Sequence, residues 1–162
     1  MAMTDKKAER RKAERIIADN RKARHDYHLL ETFEAGIALI GTEVKAIREG
    51  RVNLRDSFAR IVDGEIWAQG IHIGSYSHRG YADHEPLRPR KLLLHRHEIR
   101  KLIGKVTERG MTLVPVQMYF KDGLVKMTIS LAKGKQDHDR RETIKRRETE
   151  RETRAAVKER QR

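Results

Sequence analysis

The chain has 162 residues, 37 of them Lys or Arg and 24 Asp or Glu, so it carries a formal charge of +13 before its eight histidines are counted. Charged residues make up 38% and apolar ones 37%, enough for one modest core and not for two. The lack of cysteine excludes disulfide frameworks, zinc ribbons, iron–sulfur clusters and thiol nucleophiles, and no window approaches the roughly 20 apolar residues of a membrane-spanning helix. Residues 1–15 are charged and hold no apolar stretch of the kind an export signal needs, so a cytoplasmic protein that meets polyanions is expected.

Charge is concentrated at the ends. Residues 1–26 hold nine basic and five acidic side chains, residues 27–132 sixteen and twelve, and residues 133–162 twelve and seven. The ends hold few large apolar residues, so residues 1–19 are expected to be a flexible basic segment and residues 20–132 the folded domain. Within that domain, residues 27–39 mix apolar, aromatic and β-branched types and predict a strand, bent or bulged near Gly36. Thr42 is placed to cap a short helix through Val44, Ala46 and Ile47, closed by Gly50, with Lys45, Arg48 and Arg51 outward. Strands over residues 57–62 and 65–73 are joined by Asp63-Gly64, a strong two-residue hairpin signal.

Residues 78–90 hold two of the three prolines and predict a loop. Ile99, Leu102, Ile103 and Val106 have the spacing of an amphipathic helix, ending before Gly110. A second hairpin follows, residues 112–121 and 124–131 about Asp122-Gly123, with Lys126, Thr128 and Ser130 on its wet face and Pro115 marking an edge or a bulge. Residues 133–162 lack the apolar material to order themselves, yet Glu142 with Arg146 and Glu150 with Arg154 have helical spacing, so this basic tail is expected to be disordered when free and to become helical against a surface. The fold class is therefore mainly β with flanking α-helices, a small barrel of the oligonucleotide-binding type.

No Walker-type glycine loop, nucleophile elbow or His-Glu-x-x-His occurs, and no catalytic residue, cofactor or metal site is expected. His95 and His97 bracket an arginine, which would repel a cation. A nucleic-acid surface is better supported. Lys45, Arg48, Arg51 and Arg55 form one basic cluster and Arg88, Arg90 and Lys91 another, with His25, Tyr27, Tyr76, Tyr81 and Tyr119 interleaved as stacking residues. At 5%, aromatic content is thin for gripping many splayed bases and favours folded RNA recognised by shape and phosphate contact. Trp67 is expected in the core.

Four ordered stretches go beyond composition: NRKARHDY at residues 20–27, FEAGIALIGTEVKAIREG at 33–50, RKLLLH at 90–95 and LAKGKQDHDRR at 131–141. Together they resemble the SsrA-binding protein family, also called small protein B, from about Asn20 to Arg141. The resemblance implies an oligonucleotide-binding-type barrel and a non-enzymatic adaptor, which binds the tRNA-like domain of transfer-messenger RNA (SsrA RNA) and delivers it to stalled bacterial ribosomes for trans-translation. Partners implied are that RNA, the decoding centre and message channel of the ribosome, and, indirectly through the RNA, elongation factor Tu and alanyl-tRNA synthetase. Carried over motif by motif, the RNA-facing residues are Asn20, Arg24, His25, Glu34, Glu43, Lys45, Lys91, Leu93, His95 and Lys126. Glu34 and Glu43 have the alternative of pairing with basic neighbours, and Leu93 that of a core position. In the tail, Lys133, Lys135, His138, Asp139 and Arg141 fall at ribosome-contacting positions. A ribosomal or ribosome-assembly RNA-binding protein is the alternative function.

Overall fold

A computed structural model describes residues 15–160 apart from Arg79, Tyr81, Glu108 and Arg109, and gives side chains for all of these except residues 137–140, 159 and 160. The elements run β1 (Arg15–Asp19), α1 (Arg21–Asp26), β2 (Tyr27–Ile37), α2 (Gly41–Arg48), β3 (Val52–Asn53), β4 (Phe58–Val62), β5 (Glu65–Gln69), β6 (His72–Ile73), β7 (Arg90–Leu93), α3 (Arg96–Val106), β8 (Met111–Lys121), β9 (Leu124–Gly134) and α4 (Asp137–Arg160).

Both Asp-Gly pairs turn their hairpins as the sequence predicts. Asp63 and Gly64 have φ of 51° and 74°, and Asp122 and Gly123 have 50° and 76°, the two successive left-handed residues that match the twist of the strands. The strands pair antiparallel in the order β8-β4-β5-β7-β2-β9, and β9 pairs back onto β8, so the sheet closes into a barrel. This is compatible with the expected oligonucleotide-binding type. Closure leaves no barrel strand with a wholly unpaired edge. β1 adds outside the ring, pairing with residues 117–120 of β8, whereas β4 meets β8 at Leu113.

Alternation along the strands puts Phe33, Ala35, Ile37, Ile66, Ala68, Leu92, Met127 and Ile129 in the interior, joined by Ala46 and Ile47 of α2 and Leu102 of α3. Pro115 sits at a bulge in β8, where register shifts before Gln117. The missing N–H of proline is tolerated there. The bulge also reverses which residues face inward: Leu113 and Met118 enter the main core, while Val114 joins Ala23 and Ala132 in a small second core beneath α1.

Several expectations are corrected. Residues 15–19 are not part of a flexible segment but form β1, and β9 carries the folded domain two residues past Ala132. The irregularity expected in β2 near Gly36 is a bulge between Leu29 and Glu31, with Leu30 the extra residue. The strand expected over 65–73 breaks at Gly70, whose positive φ separates β5 from β6. Thr42 does not cap α2; the Glu43 carboxylate accepts from the Ile40 amide at 3.0 Å, and the Thr42 hydroxyl bonds to His84 instead. Ser130 is buried and donates to the Glu31 carbonyl, so that end of the second hairpin is not wet.

Candidate nucleic-acid interface

Most of the expected site residues of the barrel fall into two groups at the ends of β2, which at about 3.3 Å per residue covers about 30 Å from Tyr27 to Gly36. At its start lies α1. Asn20 is 4% exposed, with all three side-chain bonds satisfied: Nδ2 donates to the carbonyls of Leu54 (3.0 Å) and Pro115 (2.9 Å), and Oδ1 accepts from the Ala23 amide. It caps α1 and ties it to two loops, so it positions the helix rather than touching a ligand. The helix it holds displays Arg24, paired with Asp19, and His25, whose Nδ1 lies 2.9 Å from Asp26. Both are about two-fifths exposed. Arg21, Lys22, His25 and Arg55 line an open cleft of about 560 Å³ between α1 and the loop after β3. Lys22 is salt-bridged to Asp56 across it.

At the far end of β2 the register places Leu93 of β7, Gly36 of β2, Lys126 of β9 and Tyr119 of β8 side by side on the outer face. Gly36 is tight here: a Cβ on it would lie 3.3 Å from the Leu93 Cβ. Leu93 is 52% exposed and is not a core residue. Gly36, Val44, Leu93, Leu124, Val125 and Lys126 line a shallow groove of about 270 Å³ with cationic and apolar walls. Glu34 faces the same side; its carboxylate accepts from the Tyr119 hydroxyl (2.5 Å) and from Lys121 (2.9 Å). Those two bonds, the hydroxyl's first, hold its carboxyl below the usual range. Tyr119 is buried and so committed, which removes it as a stacking platform. Two residues from Leu93, Lys91 is paired with Glu65 at 2.5 Å. His95, exposed, precedes the first residue of α3 and stacks on His97 with ring centroids 5.6 Å apart.

Glu43 stands apart from both groups. It is fully buried, 2.8 Å from the equally buried Arg90 and 2.7 Å from Arg88. Burial opposes its ionisation, yet bonds from Arg88, the Ile40 amide and Arg90 hold the carboxyl below its ordinary value. Arg90 also donates to the carbonyls of Ile71 and Pro86, and buried His84 joins Thr42 to the Ile73 carbonyl. This network fastens the loop after β6 to α2. Glu43 and Arg90 are therefore engaged inside the fold, so Glu43 takes the alternative of pairing with basic neighbours and the basic cluster around Arg90 is not wholly a surface feature. Lys45, on the opposite side of α2, is exposed, with its Nζ 5.3 Å from the Tyr76 ring centre. Lys45, Arg48 and Arg51 face outward as expected.

The tail leaves β9 beside α1. Lys133 is exposed; the Lys135 amide donates to the Asp26 carbonyl (2.9 Å) and its Nζ to the Arg24 carbonyl (3.3 Å). Arg141 is exposed on α4, whereas Tyr81 and the side chains of His138 and Asp139 lie outside the described residues. Along α4, Arg146 pairs with Glu150, 3.9 Å apart. Among the described residues no group of three or more His, Asp or Glu could hold a metal ion, and no helix is long and apolar enough to cross a membrane.

A closed barrel with cationic groups on its outer strands, on the helix that precedes them and on a basic tail defines a small nucleic-acid-binding barrel protein. Residues 17–159 match the SmpB protein family, and the chain belongs to it. Its relatives include the SsrA-binding protein of Syntrophobacter fumaroxidans, 55% identical over 93% of each chain, and that of Trichodesmium erythraeum, 58% identical over 90% of this chain and 94% of the other. In the solved structure "tmRNA-SmpB: a journey to the center of the bacterial ribosome", one chain is 48% identical and superposes with a TM-score of 0.64 over 80% of this chain and 94% of its own.

Proposed function

We propose that this chain is a non-enzymatic, cytoplasmic adaptor that binds the tRNA-like domain of transfer-messenger RNA and carries it to stalled bacterial ribosomes for trans-translation and peptide tagging. The observation that carries this is family membership across residues 17–159, with relatives above 50% identity that are named for binding SsrA RNA. The folded barrel does the RNA binding. Arg24 and His25 on α1, and Glu34, Leu93, His95, Lys91 and Lys126 around the outer groove, meet the RNA, while Lys45 adds a phosphate contact from α2. Asn20 and Glu43 act through the elements they hold. Lysines and arginines here meet phosphates, and His and Glu select among donor and acceptor edges.

The tail reads the ribosome through Lys133, Lys135, His138, Asp139 and Arg141. Ile144 and Val157 are 42% and 51% exposed, so neither of these apolar side chains anchors α4 on the barrel; the helix fluctuates in the free protein and is held by the decoding centre and message channel. Elongation factor Tu and alanyl-tRNA synthetase join only through the RNA.

The test is a binding titration of the full chain with the tRNA-like fragment and with bulk tRNA at several salt concentrations. The fragment should bind more tightly at physiological salt, and Lys45→Ala should flatten its salt dependence by about 0.7 to 0.9 of a log–log unit, one counterion's share. Equal affinity for the two RNAs would overturn the reading.

A further inference from the structure

Trp67 is the only tryptophan of the chain, and the structure turns it outward. Its neighbours Ile66 and Ala68 are at most 1% exposed in the barrel interior, so alternation along β5 puts Trp67 on the outer face, where it is half-buried. The core position expected from composition is therefore corrected. In the register, Trp67 lies directly between Arg60 of β4 and Lys91 of β7. Two interstrand spacings set these cations about 10 Å apart at their Cα atoms, one on each side of the indole. Among the described residues no hydrogen bond or ion pair engages the Trp67 indole N–H or the Arg60 guanidinium, whereas Lys91 is held by Glu65.

From this rung we infer that Trp67 is a stacking platform for an unpaired nucleotide of the bound RNA, with Arg60 and Lys91 taking the phosphates on either side. This rests on the proposed RNA-binding function and extends its surface to a site on β4 and β5. Three features select this occupant. The rung carries two cations against the one carboxylate of Glu65, which suits a polyanion. An indole with cationic neighbours is the arrangement on which single-stranded bases stack, whereas the base faces of a duplex are covered by their own neighbours. Lys91 and Leu93 lie two residues apart on the same side of β7, so the rung continues the groove lined by Leu93 and Lys126. Glu65 competes with the phosphate for Lys91, which makes it a brake on binding.

Because Trp67 is the sole tryptophan, its fluorescence reports directly on the site. The full chain is titrated with a nine-nucleotide oligoadenylate RNA at low salt, and separately with a nine-base-pair RNA duplex and with the tRNA-like fragment. Anisotropy of a label on each RNA gives binding independently of the tryptophan. Oligoadenylate should quench the Trp67 emission saturably in step with the anisotropy, and the duplex should not. Trp67→Ala should weaken oligoadenylate binding by roughly 5- to 150-fold, the span measured for loss of one stacked base, while Trp67→Phe retains most of it. Arg60→Ala, an exposed change that leaves the core intact, should weaken binding several-fold, and Glu65→Gln should tighten it. If anisotropy shows bound oligoadenylate with no quenching, or if Arg60→Ala and Trp67→Phe bind as the parent and Trp67→Ala loses nothing, the site does not exist. Should that happen while the tRNA-like fragment still binds in preference to bulk tRNA, the stacking site falls alone and the adaptor function stands.

Discussion

Replacing Glu43 with Gln separates two roles for this residue most sharply. As an RNA contact, Glu43 would be dispensable for folding; as built, it is a buried anion shared by Arg88 and Arg90, with both Glu43 and Arg90 side chains 0% exposed. Glu43→Gln keeps the shape but leaves the Arg90 guanidinium buried without its counter-charge, a loss of about 3 to 5 kcal/mol. The barrel with β1 and α1 has about 120 residues, and at about 2.1 cal/mol/K per residue its unfolding entropy is near 250 cal/mol/K, so Tm should fall by about 12 to 20 °C. Thermal unfolding followed by circular dichroism reads the shift. RNA titration well below the new Tm should lose several-fold in affinity at most, the share of Lys45 and Val44 on the loosened α2, because α1 and the strands of the outer groove are untouched. Replacing both partners, Glu43→Gln with Arg90→Met, should recover much of the stability, since an apolar pair has no stranded charge. A Glu43→Gln protein that melts with the parent but has lost its RNA affinity would refute the structural assignment.

Asn20→Ala removes three hydrogen bonds, two of them to carbonyls that stay partly buried, so urea unfolding should show a loss of about 2 to 3 kcal/mol, with weaker RNA binding and an unchanged salt slope as α1 loosens. The carboxyls of Glu34 and Glu43 are both held below their ordinary range, so their contribution is complete above about pH 4.3 and is lost as the pH falls through their native values. Urea midpoints should therefore drop between pH 4.5 and about pH 3, less steeply in Glu34→Gln, and a midpoint that rises with acid would contradict this. Truncation after Gln136 should leave Tm almost unchanged and abolish peptide tagging in a reconstituted translation system. Truncation after Ala132 should also lower Tm, because it removes the end of β9 and the Lys135 bonds to α1.

What could be read in advance follows from how locally each feature is determined. Asp63-Gly64 and Asp122-Gly123 carry their turn geometry in two residues, and both hairpins were legible. The α3 stripe through Leu102 needed only a helical period. β1 and β7 are only five and four residues long, and they exist because closed neighbours offer ladders to pair with, which no local pattern announces. The same holds at the interface. Lys45 and Leu93 are exposed and Lys126 is half-buried on the outer face, but nothing near Glu43 in sequence reveals that Arg90, 47 residues on, will share its burial. Trp67 was misplaced for a related reason: a tryptophan's bulk favours the interior, while one residue of strand parity sends it out.

The clasp between the tail and α1 has a mechanical consequence. Lys135 bonds through its amide to Asp26 and through its ammonium to Arg24, so the chain leaves the barrel from the backbone of the helix that displays Arg24 and His25. α4 begins only two residues later and runs for 24 residues, about 36 Å at 1.5 Å per residue. With so long an arm on so short a pivot, a tilt of α1 by about 10°, once the tail is held as a rigid helix, swings the far end of α4 through roughly 6 Å. Whatever settles onto α1 thus also aims the arm, and a displacement too small to disturb the barrel becomes one wide enough to move the end of α4 past a neighbouring strand or backbone.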